Sequence, residues 1–220
     1  SSSIRKITPD ANVTTFAGTG SRGSNNGQGT SASFDRPYGL VFDSSSNLYV
    51  GDYGNHVIRK IDPSGNVTTF AGMMDSSGFS DGQGTSASFY GPVGLTIDPQ
   101  GNLYVTDQRN HSIRKIYTSG KVTTIAGTGS EGSADGIGDQ SSFNVPYGIL
   151  SDENGNLLVA DLVNHTIRKI NLVGDTVNFR VEFSDAAGNS GSVDNTTDNS
   201  LVMVDLEDPV ISNVSITSTN

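Results

Sequence analysis

Histidine occurs three times in the 220 residues, each time in the same setting: "DYGNHVIRKI" at 52–61, "DQRNHSIRKI" at 107–116 and "DLVNHTIRKI" at 161–170. An imidazole beside a carboxylate and an amide is a donor set for metal binding or acid–base chemistry. Asp52, Asn55 and His56 make the first group, Asp107, Asn110 and His111 the second, and Asp161, Asn164 and His165 the third. Whether these groups can cooperate depends on the elements that carry them.

The histidines recur at intervals of 55 and 54 residues, and so do Phe34, Phe89 and Phe143. A fixed period of this length marks a repeat architecture. Each unit runs through the Phe, a Pro-x-Gly step (Pro37, Pro92, Pro146), an Asp (Asp43, Asp98, Asp152), "NLYV" or "NLLV", the Asp-x-x-Asn-His group and "IRKI". A Gly-bearing turn and "VTTFAG" or "VTTIAG" follow in the first two copies. Four runs rich in Val, Ile, Leu, Tyr and Thr predict four strands, in the second copy "VGLTID", "NLYVTD", "SIRKI" and "KVTTIAG". In the turn "DPQGN" (98–102), Asp bonds forward to the backbone, Pro fixes φ and Gly accepts a positive φ. No apolar period near 3.6 competes.

A repeated four-stranded antiparallel meander is the pattern of a β-propeller. The expected fold class is therefore all-β: a partial propeller of about three and a half blades. Residues 1–18 give the last two strands of one blade, and 34–72, 89–127 and 143–179 give three more. Gly174 and Phe179 follow Ile170 as Gly65 and Phe70 follow Ile61, which carries the repeat to Phe179. Residues 180–220 are expected to be a separate module of two or three strands. Propellers close with four to eight blades. An arc of this size is expected to be a fragment of a longer protein or to complete its ring by self-association through open blade edges.

With strands about 4.8 Å apart, a turn beyond the second strand lies about 10 Å from the propeller axis. Ligands of one zinc ion must lie within about 4 Å of each other. The three histidines are thus predicted to be structural, with Asp52 and Asn55 satisfying turn amides and His56 packing and donating one hydrogen bond. "IRKI" puts Ile58 and Lys60 on one face and Val57, Arg59 and Ile61 on the other, which suits a strand between two blades. Its Arg stem is expected to lie along the next blade with the guanidinium exposed. The Gly-rich joins carry Asn26, Asp81, Asp135 and Asp139 without calcium-loop spacing, and they read as turns. No Gly-x-Ser-x-Gly elbow stands between a strand and a helix.

There is no Cys, which excludes disulfides and thiol chemistry. The formal charge is −10: residues 1–170 carry 12 Lys+Arg against 15 Asp+Glu, and 171–220 carry 1 against 8. An acidic chain without basic runs is a poor nucleic-acid binder, and no apolar run is long enough for membrane insertion.

"FDRPYGLVFDSSSNLYVGDYGNHVIRKI" (34–61) and its two later copies resemble the NHL repeat, over roughly residues 1–179. The resemblance implies a propeller, six-bladed in many members and used mainly for binding, with metal-dependent lyases and lactonases among its relatives. "VNFRVEFSDAAGN" followed by "SLVMVDLEDPVISNVSITSTN" is similar to bacterial surface immunoglobulin-like repeats, and implies a C-terminal β-sandwich fragment. A metal channel of the lyase kind would need carboxylates or amides at the start of the first strand, where this chain has Tyr38, Val93 and Tyr147. No metal or cofactor is expected.

The residues that vary between copies on the face of the joins and turns are Arg36, Tyr38, Tyr53, Tyr90, Gln108, Arg109, Tyr147 and Leu162. Tyr and Arg are favoured at binding hot spots. This face is the expected surface for a protein or carbohydrate ligand, in a non-catalytic scaffold of an extracellular or cell-surface bacterial protein. The alternative is a fragment of a metal-dependent lyase or lactonase whose catalytic blades lie elsewhere.

Overall fold

The computed structural model describes residues 2–172 and, as backbone, the strands at 179–184, 190–194 and 215–218. It divides into two compact units, Ser1–Asn171 and Leu172–Asn220. In the first unit, β1 (Ser2–Ile7) and β2 (Val13–Gly20) form an antiparallel pair. After β3 (Gly27–Gln28), the first complete blade runs β4 (Pro37–Phe42), β5 (Leu48–Asp52), β6 (Val57–Ile61) and β7 (Asn66–Ala71). The second adds β8 (Gly82–Gln83), β9 (Pro92–Ile97), β10 (Leu103–Asp107), β11 (Ser112–Ile116) and β12 (Lys121–Ala126), and the third has β13 (Pro146–Ser151), β14 (Leu157–Asp161) and β15 (Thr166–Ile170). Within each blade the four meander strands, or three in the third blade, pair antiparallel with their sequence neighbours. The all-β partial propeller is thus observed.

The blades differ from the expected four strands at their outer edge. The Gly-rich joins each contribute a two-residue fifth strand, β3 on β7 and β8 on β12. Gly29 and Gly84 donate to the carbonyls of Gly65 and Gly120, which ties each join to the turn of its blade. In the third blade the sheet holds three strands, and the fourth was expected partly over 173–178, which lie outside the described residues.

In the second unit, β16 (Phe179–Ser184) pairs with β17 (Ser190–Asp194) and β18 (Ser215–Ser218) in one three-stranded antiparallel sheet. Phe179 therefore stands in the second unit. The "DAAGN" stretch read as immunoglobulin-like, 185–189, lies outside the described residues. Among the described residues, no helix is long and apolar enough to cross a membrane.

The first unit's core lies between blades, because its middle strands are apolar on both faces. Tyr49 and Ile58 of the first complete blade pack with Phe89, Leu95, Leu103, Val105 and Ile116 of the second. Leu48, Val50 and Ile61, on the opposite face, pack with Ile4 and Ala17 of the β1–β2 pair. At the outer faces of the arc the same pattern is uncovered: Leu40 and Phe42 are exposed at one end, Leu158 and Ile167 at the other.

Close approach of the inner strands depends on the Pro-x-Gly step. A Cβ on Gly39 would lie 2.2 Å from the Val93 carbonyl, and one on Gly94 would lie 2.3 Å from the Tyr147 carbonyl. Thr106 donates to that Tyr147 carbonyl (2.7 Å) and accepts from the Gly94 amide (2.8 Å), fastening the second blade to the third. At Gly148 the nearest atom to an added Cβ is Ala160 Cβ, at 3.8 Å. We therefore expect Gly94→Ala to destabilise the unit by about 1–3 kcal/mol through backbone overlap, and Gly148→Ala to be near neutral; urea unfolding of the two variants measures the difference.

The strand-connecting turns use one device. Asp43 accepts from the amides of Ser45 and Asn47, and Asp62 and Asp152 repeat the arrangement at their own turns. The Ser64 hydroxyl and the Asn66 amide hold the Asp62 carboxyl below its ordinary 3.8, and the Asn156 side chain and amide do the same for Asp152. A folded value below the unfolded one gives stability only while the group is ionised. That contribution is complete above about pH 5 and is lost as pH falls through the lowered values. Urea midpoints should accordingly drop between pH 5 and pH 3, and Asp152→Ala should lower the pH 5 midpoint while making the drop smaller.

Candidate functional site

The recurrent Asp, Asn and His residues occupy a tight corner after the second strand of each blade. Residues 53–55 and 108–110 form single 3₁₀ turns, and His56, His111 and His165 each follow in the left-handed region (φ 61°, 49° and 56°). The His56 and His111 side chains reach into the next blade. His56 Nδ1 accepts from the Gly91 amide (3.2 Å), and His111 Nδ1 accepts from the Val145 amide (3.1 Å). Gly91 and Val145 are the residues before Pro92 and Pro146, and both have positive φ. Where His56 was expected to donate, it accepts, because the next blade presents an N–H at that point. An accepting Nδ1 places the imidazole proton on Nε2. Burial, with Arg109 and Arg36 nearby, lowers the His56 pKa and keeps the ring neutral.

Asp52 does not serve its own turn. Its Oδ1 accepts from the Asp35 amide (2.8 Å), and its Oδ2 takes bonds from Asn55 Nδ2 (2.8 Å) and Arg59 Nη1 (2.9 Å). Asn55 also donates to the Gly23 carbonyl (2.8 Å). Arg59 continues outward to the carbonyls of Ser33 and Asn25 and to Asn26 Oδ1. Its guanidinium lies 5.1 Å from the centre of the Phe34 ring. The same network recurs with Asp107, Asn110, Arg114, Asp81 and Phe89, and again with Asp161, Asn164, Arg168, Asp135 and Phe143.

The expectation of an exposed guanidinium is overturned, since Arg59 and Arg114 are 0% exposed. The reason is the join, which wraps over the Arg and supplies carbonyls that only a buried multidentate donor can satisfy. The joins' Asn26, Asp81 and Asp135 are the Arg partners. Sequence reasoning missed this set, although Asp and Arg stand seven residues apart in every copy. Burial pushes the Asp52 carboxyl up to about 6, against the pull of Asn55, the Asp35 amide and Arg59, so it is ionised at neutral pH. Burial likewise raises Asp107, with Arg114 and Asn110 opposing.

Removing one member of a buried pair leaves an uncompensated charge. We expect Arg114→Met to cost about 3–5 kcal/mol in chemical denaturation. Arg168→Met should cost less, because Arg168 is partly open and its partner Asp135 is 95% exposed in its side chain.

The variable residues form a second constellation, at the end of the inner strands where the His corners lie. Tyr38 begins in β4 and Tyr147 in β13, yet their rings are 6.0 Å apart, because the inner strands converge past Val93 of the blade between. Tyr38 also meets Tyr53 edge to face at 5.3 Å. The Arg109 Nε donates to the Tyr53 hydroxyl (2.8 Å) and its Nη1 to the Tyr90 hydroxyl (3.3 Å). The Arg36 guanidinium stands 4.9 Å over the Tyr53 ring and makes a 3.3 Å ion pair with Asp35. The bonds from Tyr53 and Tyr90 raise Arg109 further, while burial and the neighbouring Tyr38 and Tyr53 raise the Tyr147 hydroxyl.

Six of the eight variable residues thus come together from three blades. Gln108 and Leu162 sit at the corresponding corners, with their amides bonded to the Gly91 and Val145 carbonyls. No ring or cation contact ties their side chains to the cluster among the described residues. Leu162 is 52% exposed. Among the described residues, no group of three or more His, Asp or Glu could hold a metal ion.

Comparison with known proteins agrees with this architecture. A family model described as NHL repeat matches residues 89–116, the second blade from Phe89 to Ile116. NHL repeat-containing protein 2 of Gallus gallus is 35% identical over 172 residues, which cover 71% of this chain and 24% of that protein. A structural genomics protein of unknown function from Bacteroides thetaiotaomicron superposes with a TM-score of 0.66 at 28% identity, over 76% of this chain and 42% of that one. An auxiliary nutrient binding protein from Bacteroides ovatus superposes with a TM-score of 0.62 at 25% identity, over 77% of this chain and 43% of that one. The chain therefore spans less than half the length of each. Together these findings support an NHL-repeat propeller.

Proposed function

We propose that this chain is a non-catalytic binding scaffold that takes a protein or carbohydrate ligand on the propeller face carrying the Tyr–Arg cluster. The observation that carries this reading is the convergence of Arg36, Tyr38, Tyr53, Tyr90, Arg109 and Tyr147 from three blades, at positions where the repeat itself does not dictate the residue. Tyr38 and Tyr147 remain 47% and 37% exposed, so ring surface is offered to solvent. Tyrosine supplies a rigid apolar plane and a polar edge at small entropic cost.

The auxiliary nutrient binding protein it superposes on supports a binding role and, with it, an extracellular or cell-surface location. The test is binding of the labelled full chain to arrays of polysaccharides and of surface proteins, repeated with the Tyr38→Ala, Tyr147→Ala double variant. Loss of the wild-type signals at an unchanged melting temperature is the expected outcome. Retention of every signal would remove this face from consideration.

A further inference from the structure

The charge within the cluster is unevenly compensated. Arg22 and Arg36 share one carboxylate, Asp35, at 3.4 and 3.3 Å. Arg109 lies between Tyr53 and Tyr90, and its two bonds go to neutral hydroxyls; among the described residues no carboxylate pairs with it. Those bonds use Nε and Nη1, and among the described residues no bond is made by Nη2 of this permanently charged fork. A second guanidinium, Arg36, stands over the same Tyr53 ring.

The tyrosines meet at steep angles, 82° between Tyr38 and Tyr53 and 73° between Tyr38 and Tyr147, so they form a faceted corner instead of a flat plate. They lie at strand ends and 3₁₀ corners, and the surface is therefore made of side chains. A short chain of rings with apolar C–H faces, peripheral hydroxyls and a carboxylate matches each element. The C–H faces pack on Tyr38 and Tyr147, the hydroxyls bond to the tyrosine oxygens, and the carboxylate pairs with Arg109.

Building on the binding role, we infer that the ligand of the Tyr–Arg cluster is an acidic saccharide of the uronic acid type, with Arg109 as the residue that selects for its charge. The experiment is isothermal titration of the full chain with oligogalacturonate, with its methyl-esterified form and with a poly-glutamate peptide, each also against Arg109→Gln and Tyr38→Ala. Oligogalacturonate should bind, and both esterification and Arg109→Gln should weaken it about tenfold or more, the value of one charge-assisted hydrogen bond. Tyr38→Ala should weaken the acidic and esterified forms alike. Melting temperatures should not move, because both substituted side chains lie at the surface.

Equal binding of the acid and the ester, both lost in Tyr38→Ala, would overturn the acidic specificity and leave the binding role standing. Poly-glutamate binding as tightly as the saccharide would overturn the saccharide assignment. Absence of oligogalacturonate binding at millimolar concentration would overturn the inference outright. Binding insensitive to Tyr38→Ala would also count against the role of this face.

Discussion

A buried guanidinium held by a buried carboxylate organises this protein. Arg59 and Arg114 are wholly removed from water, and isolated charges would not survive there. Each survives because Asp52 or Asp107 neutralises it and because two join carbonyls and an Asn or Asp oxygen take the remaining Nη–H groups, while Nε stays buried without a partner among the described residues. The carboxylate also receives an amide from the residue after the Phe and the amide of Asn55 or Asn110. One network therefore fixes the join, the corner and the third strand of a blade relative to one another. A buried ion pair adds little net stability compared with an apolar pair, but it admits few alternative arrangements.

The blades are joined to each other by a second, lighter set of contacts. His56 and His111 cap the amides of the residues before Pro92 and Pro146, and the Pro-x-Gly steps let one inner strand pass within backbone contact of the next. The His caps fall on backbone of unusual conformation, a positive φ at Gly91 and Val145 ahead of a proline. A side-chain acceptor delivered from the neighbouring blade offsets that strain. The rigid frame which results lets Tyr38, Tyr53 and Tyr147 hold their edge-to-face corner over the converging inner strands.

Much of this was legible in the repeat. Its period gave the blades and its four apolar runs gave the strands. Six of the eight variable positions come together in the folded chain, and Gln108 and Leu162 share no ring or cation contact with them among the described residues. The buried guanidiniums were not legible, because an Arg in a strand with apolar neighbours on both faces ordinarily extends to water along its stem. The element that covers it, the Gly-rich join, has no apolar pattern of its own, and only its path across the blade reveals carbonyls converging on the Arg.

The amino-acid sequence by itself determined the local and repetitive features: strand period, Asx turns, glycine placement and the order of antiparallel pairing between sequence neighbours. These follow from residue-level sterics and from hydrogen bonds spanning a few positions. The tertiary structure alone decided what lies many residues apart. It brought Asn26 to Arg59, His56 to Gly91, and Tyr38 to Tyr147. Such contacts depend on the twist and convergence of whole blades, which no short stretch of sequence encodes.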